Sequence, residues 1–241
     1  MVERDVLQYH HAIARNNSNV AVMGIILEGK HPGSRVSLER DIFAKPAMPL
    51  QTLDETRWNT VQTLKNSLGK EYIVKTQSTF PLDTHYNSIE QEYWILWDLR
   101  DHPNIVQARS LVLTEYTDGE YGLGLLLEKV PGVPLYKWIK EKHTPDQVHS
   151  VIDQILDSIE YCHAKNIVHG DIHEENIIIT PDNTIKLIDF SISVRVDGDK
   201  PFSRPAMGIE EYAAPELLSK KIVSKKTDSY AAAVLLLGLF T

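Results

Sequence analysis

Residues Ile167–Phe190 read IVHGDIHEENIIITPDNTIKLIDF. Two β-branched runs, Ile177–Thr180 and Ile185–Ile188, flank a Pro-Asp-Asn turn and predict a small hairpin. A polar loop before the first run carries Asp171 and Asn176, and Asp189 follows the second run. Acid and amide oxygens at the ends of a rigid hairpin suit a hard cation such as Mg²⁺, which takes few protein oxygens and shares phosphates. Asp171 is placed to accept a proton from an attacking hydroxyl. One orienting base beside a metal held by an Asp and an Asn is the equipment of phosphoryl transfer.

His169-Gly170-Asp171, followed after four residues by Asn176, resembles the catalytic-loop motif H-R-D-x4-N. Asp189-Phe190-Ser191 resembles D-F-G. On these motifs the chain is similar to the protein-kinase family. The resemblance implies ATP as phosphoryl donor, Asp171 as base or orienter of the substrate hydroxyl, Asn176 and Asp189 as Mg²⁺ ligands, and His169 as a packed structural residue.

Working toward the N-terminus, Thr60–Lys65 and Tyr72–Thr76 read as strands joined by a turn at Asn66–Glu71. Lys75 near the end of the second matches the family lysine that grips the α- and β-phosphates. Ile89–Arg100 has apolar residues at 89, 93, 96 and 99 and predicts a helix. With the following HPNIV it resembles the helix that carries the partner of that lysine. Glu92 takes the role on this register, and Glu90 is the runner-up. Val106–Thr114 and Tyr121–Val130 read as two further strands. Leu127 would be the gatekeeper, and backbone groups of Glu128 and Val130 would bind the adenine edge.

The phosphate-covering loop falls at Leu53–Val61. Asp54, Thr56 and Asn59 stand at its three glycine positions, and it contains no glycine. Glycine lets the backbone approach phosphates closely, so this substitution is expected to weaken ATP binding. Before Leu50 nothing resembles a known family. Val2–Arg15 reads as a short helix and Val20–Leu27 as a strand or a buried helix. The His10-His11 pair reads as surface, lacking a third ligand at metal spacing.

Pro134–His143 suits a short helix. Thr144-Pro145-Asp146-Gln147 is a helix start with Thr144 as N-cap and Gln147 at N3. The helix to about Ala164 is amphipathic. Beyond the hairpin, Gly208–Glu216 (GIEEYAAPE) resembles the family's G-T-x-x-Y-x-A-P-E. Ile209 replaces its threonine, and His173 replaces the loop lysine that contacts the γ-phosphate. Gly170 replaces the arginine that pairs with a phosphorylated activation loop, so activity should not require that phosphorylation. Thr227–Phe240 resembles the opening of the long helix that the family calls αF, with Asp228 bonding the catalytic-loop backbone. The three or so helices that usually follow αF are absent, so its apolar surface is expected to be covered by residues 1–50, a partner or self-association.

The 241 residues are 42% hydrophobic and 24% charged, ordinary for a globular protein, with a formal net charge of −8. That balance, without a basic tract, argues weakly against nucleic acid and acidic membranes as partners, and neither is expected. A single cysteine, Cys162, rules out an internal disulfide and points to a reducing compartment. The start has no apolar signal segment, and Ala231–Phe240 is too short to span a bilayer.

The fold expected is α+β, a two-lobed protein-kinase-like fold with a β-rich N-lobe at about 50–130. Its truncated helical C-lobe, at about 131–241, ends in αF. Residues 1–49 form an extension of unknown role. The function expected is Mg-dependent transfer of the ATP γ-phosphoryl group to serine or threonine of a protein. The setting is cytoplasmic, or the cytosol of a host cell for a delivered chain. Two alternatives stay open: a pseudokinase acting as a scaffold, and a small-molecule phosphotransferase. The Ala-Pro-Glu segment and HPNIV weigh against the last.

Overall fold

In the computed structural model the described residues are 20–27, 49–55, 59–66, 68–77, 89–116 and 121–239. The expectations for Val2–Arg15, His10-His11, the turn at Lys30 and the tip of the phosphate-covering loop at 56–58 lie outside them. The chain divides into two compact units, Met1–Tyr93 with Gln107–Lys129, and Trp94–Val106 with Val130–Thr241.

The first unit is built on a six-stranded antiparallel sheet. Its strands are β1 (Val20–Leu27), β2 (Pro49–Glu55), β3 (Asn59–Lys65), β4 (Glu71–Gln77), β5 (Ala108–Tyr116) and β6 (Tyr121–Glu128), in the order β1-β5-β6-β4-β3-β2. The apolar run at Val20–Leu27 is thus a strand, paired antiparallel with β5. Alternation in β3 and β4 puts Leu64, Tyr72 and Val74 on one face, where they pack with Val112 and Leu126. The turn between β3 and β4 is held by Asn66, whose Oδ1 accepts the N–H groups of Leu68 (3.0 Å) and Lys70 (2.8 Å). Helix α1 (Ile89–Asp98) runs from this unit into the next.

The fifth strand starts at Ala108, two residues later than the sequence predicts. Val106 is taken by the second unit, where its N–H donates to Leu187 O at 3.0 Å. That unit contains β7 (Val133–Pro134), α2 (Leu135–Trp138), α3 (Pro145–Ala164), β8 (Ile167–Val168), β9 (Ile177–Ile179) and β10 (Ile185–Leu187). After them come β11 (Val194–Arg195), β12 (Phe202–Ser203), α4 (Pro215–Lys220), β13 (Ile222–Val223) and α5 (Lys225–Leu239). The short helix expected from Pro134 begins at Leu135 because Pro134 is extended and pairs with Ile178. It stops at Trp138, against whose indole His143 stacks at 3.5 Å.

The predicted capping box is formed. Thr144 Oγ1 accepts Gln147 N–H at 3.3 Å, and Gln147 Oε1 accepts Thr144 N–H at 2.9 Å. Val151, Ile155, Ile159 and Cys162 line the buried face of α3. Thr144→Ala should cost about 1 kcal/mol, read as a melting point lower by about 2–4 °C.

Gln154 on α3 joins that helix to the hairpin. Its Oε1 accepts Asn104 Nδ2 (2.8 Å) and Ile185 N–H (3.0 Å), and its Nε2 donates to Asn183 O (2.9 Å). On α5, Thr227, Asp228, Ala231, Ala232 and Leu235 are buried, while Tyr230 and Leu237 stay exposed. No helix among the described residues is long and apolar enough to cross a membrane.

Candidate active site

The loop opens where β8 ends. His169 is fully buried. Its Nδ1 accepts Asp171 N–H at 3.2 Å, its Nε2 meets Ile188 O at 3.1 Å, and its ring stands edge-on to Phe190 at 4.5 Å. Burial lowers its proton affinity. The neutral ring with its proton on Nε2 satisfies both bonds, and the residue serves as packing. Below it, α5 brings up Asp228, which is 1% exposed. Its Oδ2 accepts His169 N–H at 2.8 Å and its Oδ1 accepts Gly170 N–H at 2.7 Å. His163 Nε2 lies 2.9 Å from Oδ2.

Asp171 follows immediately. Asn176 turns its amide nitrogen toward it, donating to Asp171 O at 2.9 Å and approaching Oδ2 at 3.2 Å. The Asn176 backbone carbonyl accepts Ile188 N–H at 2.9 Å, so the hairpin sets Asn176 beside the residue that precedes Asp189. Asp189 has a left-handed backbone, φ 60°, and its Oδ1 accepts Ser191 N–H at 3.2 Å. With its nitrogen engaged, Asn176 keeps its amide oxygen without a hydrogen bond among the described residues. One amide oxygen and one carboxylate suit Mg²⁺, which completes an octahedron from phosphates and water.

His173 occupies the place of the family lysine. Its Nε2 is 2.8 Å from Asn176 Nδ2 and 3.5 Å from Asp171 Oδ2. Burial opposes a proton there. The Asp171 carboxylate, with Glu175 and Glu174 behind it, outweighs burial and holds the pKa above the usual histidine value. Protonation would turn Nε2 from an acceptor of Asn176 into a donor toward Asp171. Tyr212 donates its hydroxyl to Glu174 Oε2; burial and that carboxylate both raise its pKa.

In the first unit, Lys75 Nζ lies 3.0 Å and 3.1 Å from the two oxygens of Glu92, and both side chains are buried. Glu92 meets Lys75, while Glu90 sits half-buried in the first turn of α1. Strand β6 places Leu127 in the interior. Glu128 donates its N–H to Gln107 O at 2.9 Å. Val130, half-buried, opens the second unit.

Two residues close on the loop through contacts that the sequence does not predict. Gly208 (φ +90°) lies so near Asp171 that a Cβ there would stand 2.5 Å from Oδ1. Arg204 reaches the loop from the same segment. Gly208 opens the GIEEYAAPE stretch, but its own approach to Asp171 is not predicted, and Arg204 belongs to no motif.

Residues 58–241 match the model of the protein kinase domain. The chain belongs to the protein kinase family. The kinase domain is 31% identical over 179 residues to the calcium/calmodulin-dependent protein kinase type II subunit delta of Oryctolagus cuniculus, covering 72% of this chain and 32% of that protein. It is 36% identical over 145 residues to the hormonally up-regulated neu tumor-associated kinase of Mus musculus, covering 58% and 20%. It is also 35% identical over 143 residues to a probable myosin light chain kinase of Dictyostelium discoideum, covering 58% and 43%. The chain thus matches from a fifth to about two fifths of the length of these relatives. The α+β organisation, a β-rich unit and a helical unit, is that of the kinase domain.

Proposed function

We propose that the domain transfers the γ-phosphoryl group of ATP to serine or threonine hydroxyls of a protein. The observation that carries this is the Asp171–Asn176 pair on the hairpin, with Asp189 beyond the Asn176–Ile188 bond. Asp171 orients the hydroxyl and takes its proton, while Lys75, fixed by Glu92, holds the α- and β-phosphates. Mg²⁺, when bound by Asn176 and Asp189, neutralises the charge on the phosphate oxygens. Leu127, Glu128 and Val130 receive the adenine. Because Gly170 removes the arginine that would read a phosphorylated loop, the reaction runs without that modification. The likeness to the protein kinases named above supports a protein as acceptor.

A second reading, a binding module without transfer, is favoured by the glycine-free stretch Leu53–Val61 and by Ile209. Melting with MgATP separates the two. At a ligand concentration of 100 Kd, stabilisation of about 2.7 kcal/mol is expected, or roughly 5–11 °C for a domain of this size. Lys75→Met should remove most of it. Radiolabel from γ-³²P-ATP should then appear on serine or threonine of casein or histone and vanish with EDTA. No thermal shift and no label would sink the proposal.

A further inference from the structure

Arg204 follows β12, where its N–H donates to Lys221 O at 3.0 Å. Its side chain turns inward and the residue is 2% exposed. The guanidinium passes beneath the catalytic loop, with Nη1 donating to Ile192 O and Nη2 to Gly170 O at 3.4 Å. Nε has no hydrogen-bond partner among the described residues. The carboxylates of Asp228 and Asp171 act on it through space, and among the described residues neither is in ion-pair contact with it. Burying a cation this way is unfavourable, and a residue kept for packing alone would be better served by an apolar side chain.

Gly170 makes the room. Its φ is +79°, and a Cβ built there would stand 2.6 Å from Arg204 Nη2. The residue is therefore gripped at both ends: Asp228 Oδ1 holds its N–H at 2.7 Å, and Arg204 holds its carbonyl. The next residue is Asp171. Ser193 adds a bond from its hydroxyl to His169 O at 3.0 Å, so Ser193 and Arg204 both fasten to the backbone at 169–170, and Arg204 ties Ile192 O to the same cluster.

We propose that Arg204 is a positioning residue for Asp171. From the segment after the hairpin it fixes the Gly170–Asp171 peptide, and so aims the base with no phosphate on that segment. Its kinetic part rests on the phosphoryl-transfer reading. The test compares Arg204→Met, Arg204→Lys, Gly170→Arg and the double variant Gly170→Arg/Arg204→Met, by steady-state kinetics and by amide hydrogen exchange. Arg204→Met should lower kcat by about 100-fold, the scale of a small misplacement of a reacting group, and leave the KM for ATP within about twofold. Arg204→Lys should recover part of that loss. Gly170→Arg alone should lose activity because two guanidinium groups compete for one space. The double variant, with one cation back in that space, should exceed Arg204→Met by about tenfold, a non-additivity that independent sites do not give.

Exchange at Gly170, Asp171 and Ser193 should quicken about tenfold in Arg204→Met and recover in the double variant, with α3 unchanged. A kcat for Arg204→Met within about threefold of the unaltered protein overturns the proposal. A double variant no better than Arg204→Met does the same. Absence of phosphate transfer by the unaltered protein would defeat the phosphoryl-transfer reading, and exchange alone would then decide: a reversible quickening upholds the clamp, and unchanged exchange overturns it. Should Arg204→Met fail to fold, a folded double variant upholds the pairing of 170 with 204, and an unfolded one overturns it.

Discussion

Alanine in place of Asp171 should lower kcat for phosphoryl transfer by about 10²- to 10⁴-fold, the usual worth of a positioned general base. The MgATP-induced rise in melting temperature should survive. The loss falls on chemistry and spares folding because the Asp171 side chain carries little structure. Asn176 approaches its carboxylate at 3.2 Å but holds the Asp171 backbone oxygen more closely, at 2.9 Å, and that bond remains in the variant. The loop itself is held from below by Asp228, through His169 and Gly170. Single-turnover transfer to a peptide acceptor gives the measurement. Transfer within about tenfold of the unaltered protein would show that Asp171 does not take the proton.

The second large effect is on stability. Asp228→Ala should destabilise the domain by about 3–5 kcal/mol, a melting point lower by roughly 6–20 °C. The carboxylate is buried, and its two oxygens receive two backbone N–H groups and face His163 Nε2. Alanine leaves both N–H groups without an acceptor in a site closed to water. It also removes one of the two negative charges that compensate Arg204. Asp228→Asn keeps one acceptor oxygen and should fall between the two. A melting point for Asp228→Ala within about 3 °C of the unaltered protein would mean that water replaces the carboxylate.

Much of the loop was legible because its chemistry fixes residue types at fixed spacing. Asp171, Asn176 and Asp189 stand at the ends of short strands, and strand and turn signals are local. The Thr144–Gln147 box was readable for the same reason, since both partners lie within one turn. Glu92 as the partner of Lys75 rested on helical register, and one slipped residue would have chosen otherwise. The Arg204 contact was not legible. It joins positions far apart in sequence, lies in a segment with no periodicity, and depends on a glycine whose meaning appears only when its missing side chain is seen to be space for another residue. Gly170 read from sequence was a loss; in the fold it is a vacancy filled by Arg204. Val20–Leu27 was undecided between strand and helix because an unbroken apolar run carries neither period, and its partner β5 lies some eighty residues away.

That strand has a consequence for where the kinase domain begins. The family likeness starts at residue 58. The hydrogen-bonded sheet starts at Val20 and puts β1 alongside β5. Without β1, Ala108–Tyr116 would present a bare row of N–H and C=O groups beside apolar side chains, the arrangement through which chains add to one another and aggregate. The border of the family match and the border of the hydrogen-bonded sheet therefore fall in different places. Val20–Leu27, outside the span of the family match, covers that flank of the sheet.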